Sequence, residues 1–203
     1  MKEFWNNRYK IEDYAYGNEP NDYFKNQIVK LKTGHILLPA EGEGRNAIFA
    51  SKLGWTVSAF DMSEQGKVKA EKLAKENNVE IDYVVGDFTD LKYENEQFDA
   101  IGLIYAHFSA EKKSEYHKIL DKYLKKGGVI IFEAFSKANM ELNEKNINTN
   151  GPKDIDALFS IEEIENDFMN YDIVELKEDT FNLNEGEYHK GVSSIIRFLG
   201  TKK

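Results

Sequence analysis

The chain has 203 residues, 41% hydrophobic and 31% charged, enough for one sizeable core rather than two domains. Thirty-six acidic side chains against 27 basic ones leave a formal charge of −9, which argues against bulk nucleic-acid binding and favours a small-molecule partner. Cysteine is missing altogether, so disulfides, thiolate metal sites and a thiol nucleophile are excluded together. Met1 to Asn7 lacks the basic-then-apolar stretch of a secretory signal, and no run approaches the roughly 18 apolar residues that span a bilayer. The chain therefore reads as a single cytoplasmic domain, 1–203, that does not enter a membrane.

Apolar runs of strand length alternate with stretches of helical period, the pattern of a doubly wound α/β sheet. Five parallel strands are expected at His35–Pro39, Trp55–Phe60, Ile81–Val85, Phe98–Tyr105 and Val129–Phe135. Between the fourth and fifth, Tyr116, Ile119, Leu120, Tyr123 and Leu124 recur at helical spacing, with Gly127-Gly128 as the expected stop. The polar stretch 136–156, rich in Asn, Lys and Glu, reads as a mobile loop. Ser160 followed by Glu163 forms a capping-box signature for one more helix. Tyr171–Phe181 and Val192–Leu199 are strand-like. Only the short polar segment Asn182–Gly191 joins them, too brief for a helical crossover, so they pair antiparallel.

The segment Glu41-Gly42-Glu43-Gly44-Arg45-Asn46-Ala47 follows the first strand directly and opens a helix. Glycine at 42 and 44 lets a ligand approach the backbone, and the helix start offers unpaired N–H groups. Asp61 closes the second strand, where a carboxylate can accept from ribose hydroxyls. Asp87 and Phe88 follow the third, a carboxylate for an exocyclic amine and a ring for a purine face. Glycine turn and acidic strand ends together describe a nucleoside site with no demand for phosphate binding. Gly42-x-Gly44-x-x-Ala47 with Asp61 also satisfies a loose dinucleotide fingerprint, the reading of a small NAD(P)-dependent reductase. A second mononucleotide half is lacking, and that separates the two readings.

Several blocks in order, Trp5-Asn6-Asn7-Arg8-Tyr9 with Tyr16-Gly17, Gly42 to Ala47, Phe98-Asp99 to His107-Phe108, Leu124 to Phe135 and Glu185 to Gly191, resemble the class I S-adenosylmethionine-dependent methyltransferases. Within that class the blocks are similar to the subgroup of tellurite-resistance and thiopurine methyltransferases. The resemblance implies a Rossmann-like, mostly parallel seven-stranded sheet with a reversed last strand. It implies a cofactor cradled by Gly42 and Gly44, a ribose at Asp61, an adenine near Met62, Asp87 and Phe88, and a methionine end near Arg45 and the fourth-strand tip. Glu41 and Asn46 belong to the same cradle. Where the family carries an acidic residue and a leading glycine, this chain has Leu38 and Ala40, so the cofactor's ammonium falls to carbonyls around Ala40 or the fourth-strand end, or to Glu41.

The implied activity is methyl transfer from S-adenosylmethionine to a small molecule, leaving S-adenosylhomocysteine; a non-catalytic nucleoside-binding module is the alternative. The amino-terminal segment 1–32 is expected to fold over the cofactor, with Tyr16 in contact. His107 and Tyr105, after the fourth strand, are candidates to orient or deprotonate a nucleophile. Arg8 or Arg45 suits a carboxylate, and His189 in the late segment can reach the substrate mouth. The dispersed histidines suggest no metal site.

Overall fold

The computed structural model describes residues 1–106, 108–145 and 151–203. Seven strands, β1 (His35–Pro39), β2 (Thr56–Asp61), β3 (Asp82–Val85), β4 (Phe98–Ile104), β5 (Leu124–Phe135), β6 (Tyr171–Glu185) and β7 (His189–Lys202), form one sheet in the order β3-β2-β1-β4-β5-β7-β6. The first five are parallel, and β7 runs antiparallel to both neighbours. This is the expected fold class, with the chain-terminal strand reversed.

Strand side chains alternate between faces, and the two cores follow that alternation. Ile36, Leu38, Val57, Ala59 and Ile131 share one cluster with Tyr23, Phe24 and Ile28 of α2 (Asp22–Ile28), Ala47 and Ile48 of α3 (Arg45–Lys52), and Ala70, Leu73 and Ala74 of α4 (Glu64–Glu76). Leu37, Phe60, Ile101, Ile130 and Phe132 turn the other way. They meet Tyr116 and Leu120 of α5 (Lys113–Tyr123) and Ile164 of α7 (Ile161–Asp167). Ser160 caps α7 with the full capping box expected there.

Three local expectations are corrected. Helix α5 stops at Tyr123, and Gly127-Gly128 lies inside β5, which already pairs with β4 through Phe98 and Leu124. Strands β6 and β7 continue through most of the presumed loop, because Leu183 is buried and pairing persists to Glu185 and His189; only Gly186–Tyr188 turn. The stretch 136–156 contains α6 (Asn139–Lys145), whose Asn139 is buried with its Oδ1 accepting from Ser194 N at 3.0 Å. The amino-terminal segment, to which no element is assigned from the sequence, contains α1 (Lys2–Tyr9) and α2. No helix among the described residues is long and apolar enough to cross a membrane.

Candidate active site

The strand order reverses between β1 and β4, and open α/β sheets bind ligands outside the carboxyl ends of the strands at such a point. A cavity of about 210 Å³ opens there. Its floor is the tips of β1, β2 and β4 and the residues after β3, including Glu41, Gly42, Asp61, Met62, Asp87, Phe88 and Tyr105; Trp5 and Tyr9 of α1 cover it, and Arg45, Asn46, Tyr16 and His189 complete the wall. Two non-glycine residues at these tips, Ala40 (φ 51°) and Tyr105 (φ 49°), hold left-handed backbone, a conformation that costs free energy and clusters at functional sites.

The glycine turn is built from its hydrogen bonds. Gly42 N–H donates to Asp61 Oδ2 at 3.1 Å, its carbonyl accepts from Tyr83 Oη at 2.6 Å, and a Cβ on it would sit 2.6 Å from Tyr9 Oη. Asp61 Oδ1 accepts from Ser63 N at 2.8 Å, so this carboxylate ties the turn to the start of α4. Gly44 does not line the cavity. Its missing Cβ accommodates Ala70 of α4, 2.7 Å away, and its glycine serves helix packing.

Burial lifts the Asp61 carboxyl to about 6, against hydrogen bonds from Ser63, Gly42 and Met62 N–H groups. Burial likewise lifts Glu41 to about 7, although Ala47 N–H, Arg45 and Asn46 oppose it. A carboxyl with a raised folded pKa holds its proton more tightly in the native state, so its stability contribution falls as pH rises from its unfolded to its folded value. Thermal melts of the ligand-free protein between pH 4.5 and pH 7 should therefore show wild type losing ground to Glu41→Gln; a constant difference contradicts the assignment.

On the β3 side, Asp87 accepts from Tyr116 Oη at 2.9 Å and from Phe88 N at 2.8 Å, and pairs with Lys112 at 3.3 Å. Phe88 stacks on Tyr116 at 4.3 Å and meets Phe60 and Phe108 edge-on. It is both core and cavity wall.

At the opposite end a buried polar network joins elements far apart in sequence. Arg45 donates Nη2 to Glu185 at 2.8 Å and Nη1 to the Tyr16 carbonyl at 3.1 Å. Asn21 Nδ2 bridges Glu185 (2.9 Å) and Glu133 (2.7 Å), and Arg197 Nε closes on Glu133 at 2.6 Å. Burial alone would lift Glu185; the hydrogen bond from His189 and the Arg45 charge outweigh it and hold the carboxyl at about 2. His189, 3% exposed, is pushed down by burial, so it is neutral near pH 7. With Nδ1 facing Glu185 Oε2 at 3.5 Å, an acceptor only, the neutral ring carries its lone pair on Nε2.

The Tyr105 hydroxyl is buried without a well-formed hydrogen bond, and burial, with the adjacent Glu133 carboxylate and nearby Glu185, pushes its pKa well up. A phenol so held can donate a hydrogen bond, not act as a base. Arg8 donates to Tyr16 Oη at 3.0 Å and lies 3.7 Å over the Tyr188 ring, clasping α1 to the hairpin turn. His107 lies outside the described residues.

The segment between α1 and α2 is strapped across the cavity mouth. Ala15 N donates to Glu43 at 2.8 Å, Glu187 N donates to the Ala15 carbonyl at 2.9 Å, and Asn21 N donates to Asn46 Oδ1 at 2.9 Å. Gly186 fits this contact because it has no side chain: a Cβ would lie 2.4 Å from Gly17 N and from the Tyr16 carbonyl carbon, at φ +62°. Gly186→Ala should cost at least about 2 kcal/mol through overpacking and backbone strain and expose residues 10–20 to limited proteolysis. An unchanged digestion pattern contradicts the strap.

Asn21, Tyr83 and Arg197 had no signal in the sequence, and Glu133 only its place in the Leu124 to Phe135 block, since each is defined by a partner dozens of residues away. Among the described residues, no three acidic or histidine side chains are placed to hold a metal ion.

Residues 36–128 match a family model described as a methyltransferase domain. No curated protein sequence matches significantly. Among solved structures, a protein from Pyrococcus horikoshii OT3 superposes with TM-score 0.72 at 18% identity, covering all of both chains. A S-adenosylmethionine-dependent methyltransferase from Anabaena variabilis does so with 0.70 at 17% identity over 100% of this chain and 93% of that one. TehB from Haemophilus influenzae gives 0.71 at 15% identity over 100% and 67%. Likeness at such identity shows a shared fold.

Proposed function

We propose that the chain transfers a methyl group from S-adenosylmethionine to a small-molecule acceptor. The observation that carries the reading is one continuous cavity spanning the tips of β1 to β4, glycine turn at its centre and aromatic cover over it. The residues present fit an adenosyl sulfonium. Gly42 lines the cavity with the Tyr9 hydroxyl packed against its Cα, Asp61 and Met62 suit a ribose and its base, and Asp87 with Phe88 suits an exocyclic amine and a purine face. Trp5, Tyr9 and Tyr16 line the cavity, and an aromatic face attracts a cation, typically by about 0.5–2 kcal/mol.

When bound, the sulfonium supplies an electrophilic methyl carbon. The protein's own part is alignment and exclusion of water. Holding two reactants in line is worth roughly 7–11 kcal/mol, and the α1 cover with the Tyr16 strap shields the site from solvent. His189, neutral near pH 7 with Nε2 as its lone-pair nitrogen, accepts the acceptor's proton where the nucleophile carries one. Tyr105 orients the acceptor through its buried hydroxyl, and Arg8 at the clasp steers an anionic group. A soft nucleophile, a thiolate or chalcogen oxyanion as in the tellurite-resistance subgroup, suits a site with His189 as its base.

The test is incubation with methyl-labelled S-adenosylmethionine and a panel of thiols, phenols and chalcogen oxyanions. Label transferred to an acceptor with equimolar S-adenosylhomocysteine supports the reading. Tight adenosyl binding with no methylated product from any acceptor assigns the chain to a binding module instead.

A further inference from the structure

Among the described residues four carboxylates line the cavity and Glu185 stands behind Arg45, and their hydrogen bonds distinguish them. Asp61 spends both oxygens on backbone N–H groups. Asp87 is engaged by Tyr116, Phe88 N and Lys112. Glu43 is taken by Ala15 N and Lys69, and Glu185 by Arg45, Asn21 and His189. Glu41 differs. Its Oε1 accepts from Asn46 N and Ala47 N, both at 2.8 Å, which caps α3; its Oε2 meets only Asn46 Nδ2, at 3.5 Å, the outer limit of a hydrogen bond.

Glu41 Oε2 is thus a carboxylate oxygen in the cavity wall with no close donor among the described residues. Its nearest basic neighbour, Arg45, already directs Nη1 and Nη2 to Tyr16 and Glu185. A desolvated carboxylate oxygen in that position gains most from a group that is both cationic and a hydrogen-bond donor. A sulfonium is cationic but has no N–H to donate. A primary ammonium has both properties.

We infer that Glu41 Oε2 receives the α-ammonium group of the amino-acid portion of the bound nucleoside, while Oε1 holds the start of α3. The assignment rests on the S-adenosylmethionine reading above, and it gives one side chain two tasks: capping a helix and selecting ligands that carry an amine. Tyr83, whose hydroxyl bonds the Gly42 carbonyl, and Asp61 flank the turn on the β2 and β3 side but offer no donor to Oε2.

The test compares wild type with Glu41→Gln, whose amide oxygen can still cap α3, by calorimetric titration with three probes: S-adenosylhomocysteine, S-adenosylmethionine, and the analogue of S-adenosylhomocysteine lacking only its amino group. Wild type is expected to prefer S-adenosylhomocysteine over the deaminated analogue by about 10- to 100-fold, the range of a charge-assisted hydrogen bond. In Glu41→Gln that preference falls to about twofold while the affinity for the deaminated analogue stays as in wild type. S-adenosylmethionine loses affinity by the same factor as S-adenosylhomocysteine. Full retention of the preference in the variant overturns the inference, as does an equal loss for all three probes, which reduces Glu41 to a helix cap. Should wild type bind none of the probes, the cofactor reading itself fails, a result distinct from either.

Discussion

Arg45→Ala is expected to cost about 3–5 kcal/mol of folding stability, the price of leaving a buried carboxylate without its counter-charge. Arg45 is buried in α3 and holds two elements at once, the Tyr16 carbonyl of the strap and Glu185 at the end of β6. Removing it leaves Glu185 facing Glu133 through the shared Asn21 amide, so two carboxylates confront each other with only Arg197 to balance them. Lysine at 45 keeps the charge but not the two-pronged geometry, and it should recover less than half of the loss. The double variant Arg45→Met with Glu185→Leu removes both charges and should recover most of it. Chemical denaturation of the four proteins measures this directly; an alanine variant within 1 kcal/mol of wild type contradicts the network.

Asp61→Ala carries the second large effect. Three N–H groups, of Gly42, Met62 and Ser63, lose their acceptor, at about 1–3 kcal/mol for each that remains buried and unpaired. Because the same carboxylate shapes the glycine turn, affinity for S-adenosylhomocysteine is expected to fall at least about 100-fold even where the variant is folded. Asp61→Asn keeps one acceptor oxygen and should fall between. If Asp61→Ala folds and binds like wild type, Asp61 plays neither part.

The parallel sheet and its glycine turn were legible because buried strands read as short apolar runs and the turn follows one of them directly. Helix α1 was not: of Lys2–Tyr9 only Tyr9 is buried, so no apolar stripe marks it. Long-range contacts hold it instead, Lys2 to Glu64 at 2.8 Å and Asn6 Oδ1 receiving Ser63 Oγ at 2.7 Å. The two glycines of the turn looked equivalent in sequence, yet one faces the cavity and the other a helix, a distinction made by Ala70 and visible only after folding. The hairpin reached further than its polar residues suggested because Glu185 and His189 serve the site while still pairing in the sheet. Glu133 and Arg197 stood in apolar strands without a visible partner, and Asn21, more than a hundred residues before Glu133, supplies the link.

The measurement that bears most directly on the account is calorimetric titration of the wild-type protein with S-adenosylhomocysteine and, separately, with NADH. Saturable one-to-one binding of S-adenosylhomocysteine, with no heat from NADH, is the predicted result. Tighter binding of NADH, or no binding of the adenosyl thioether to a protein shown to be folded, contradicts it.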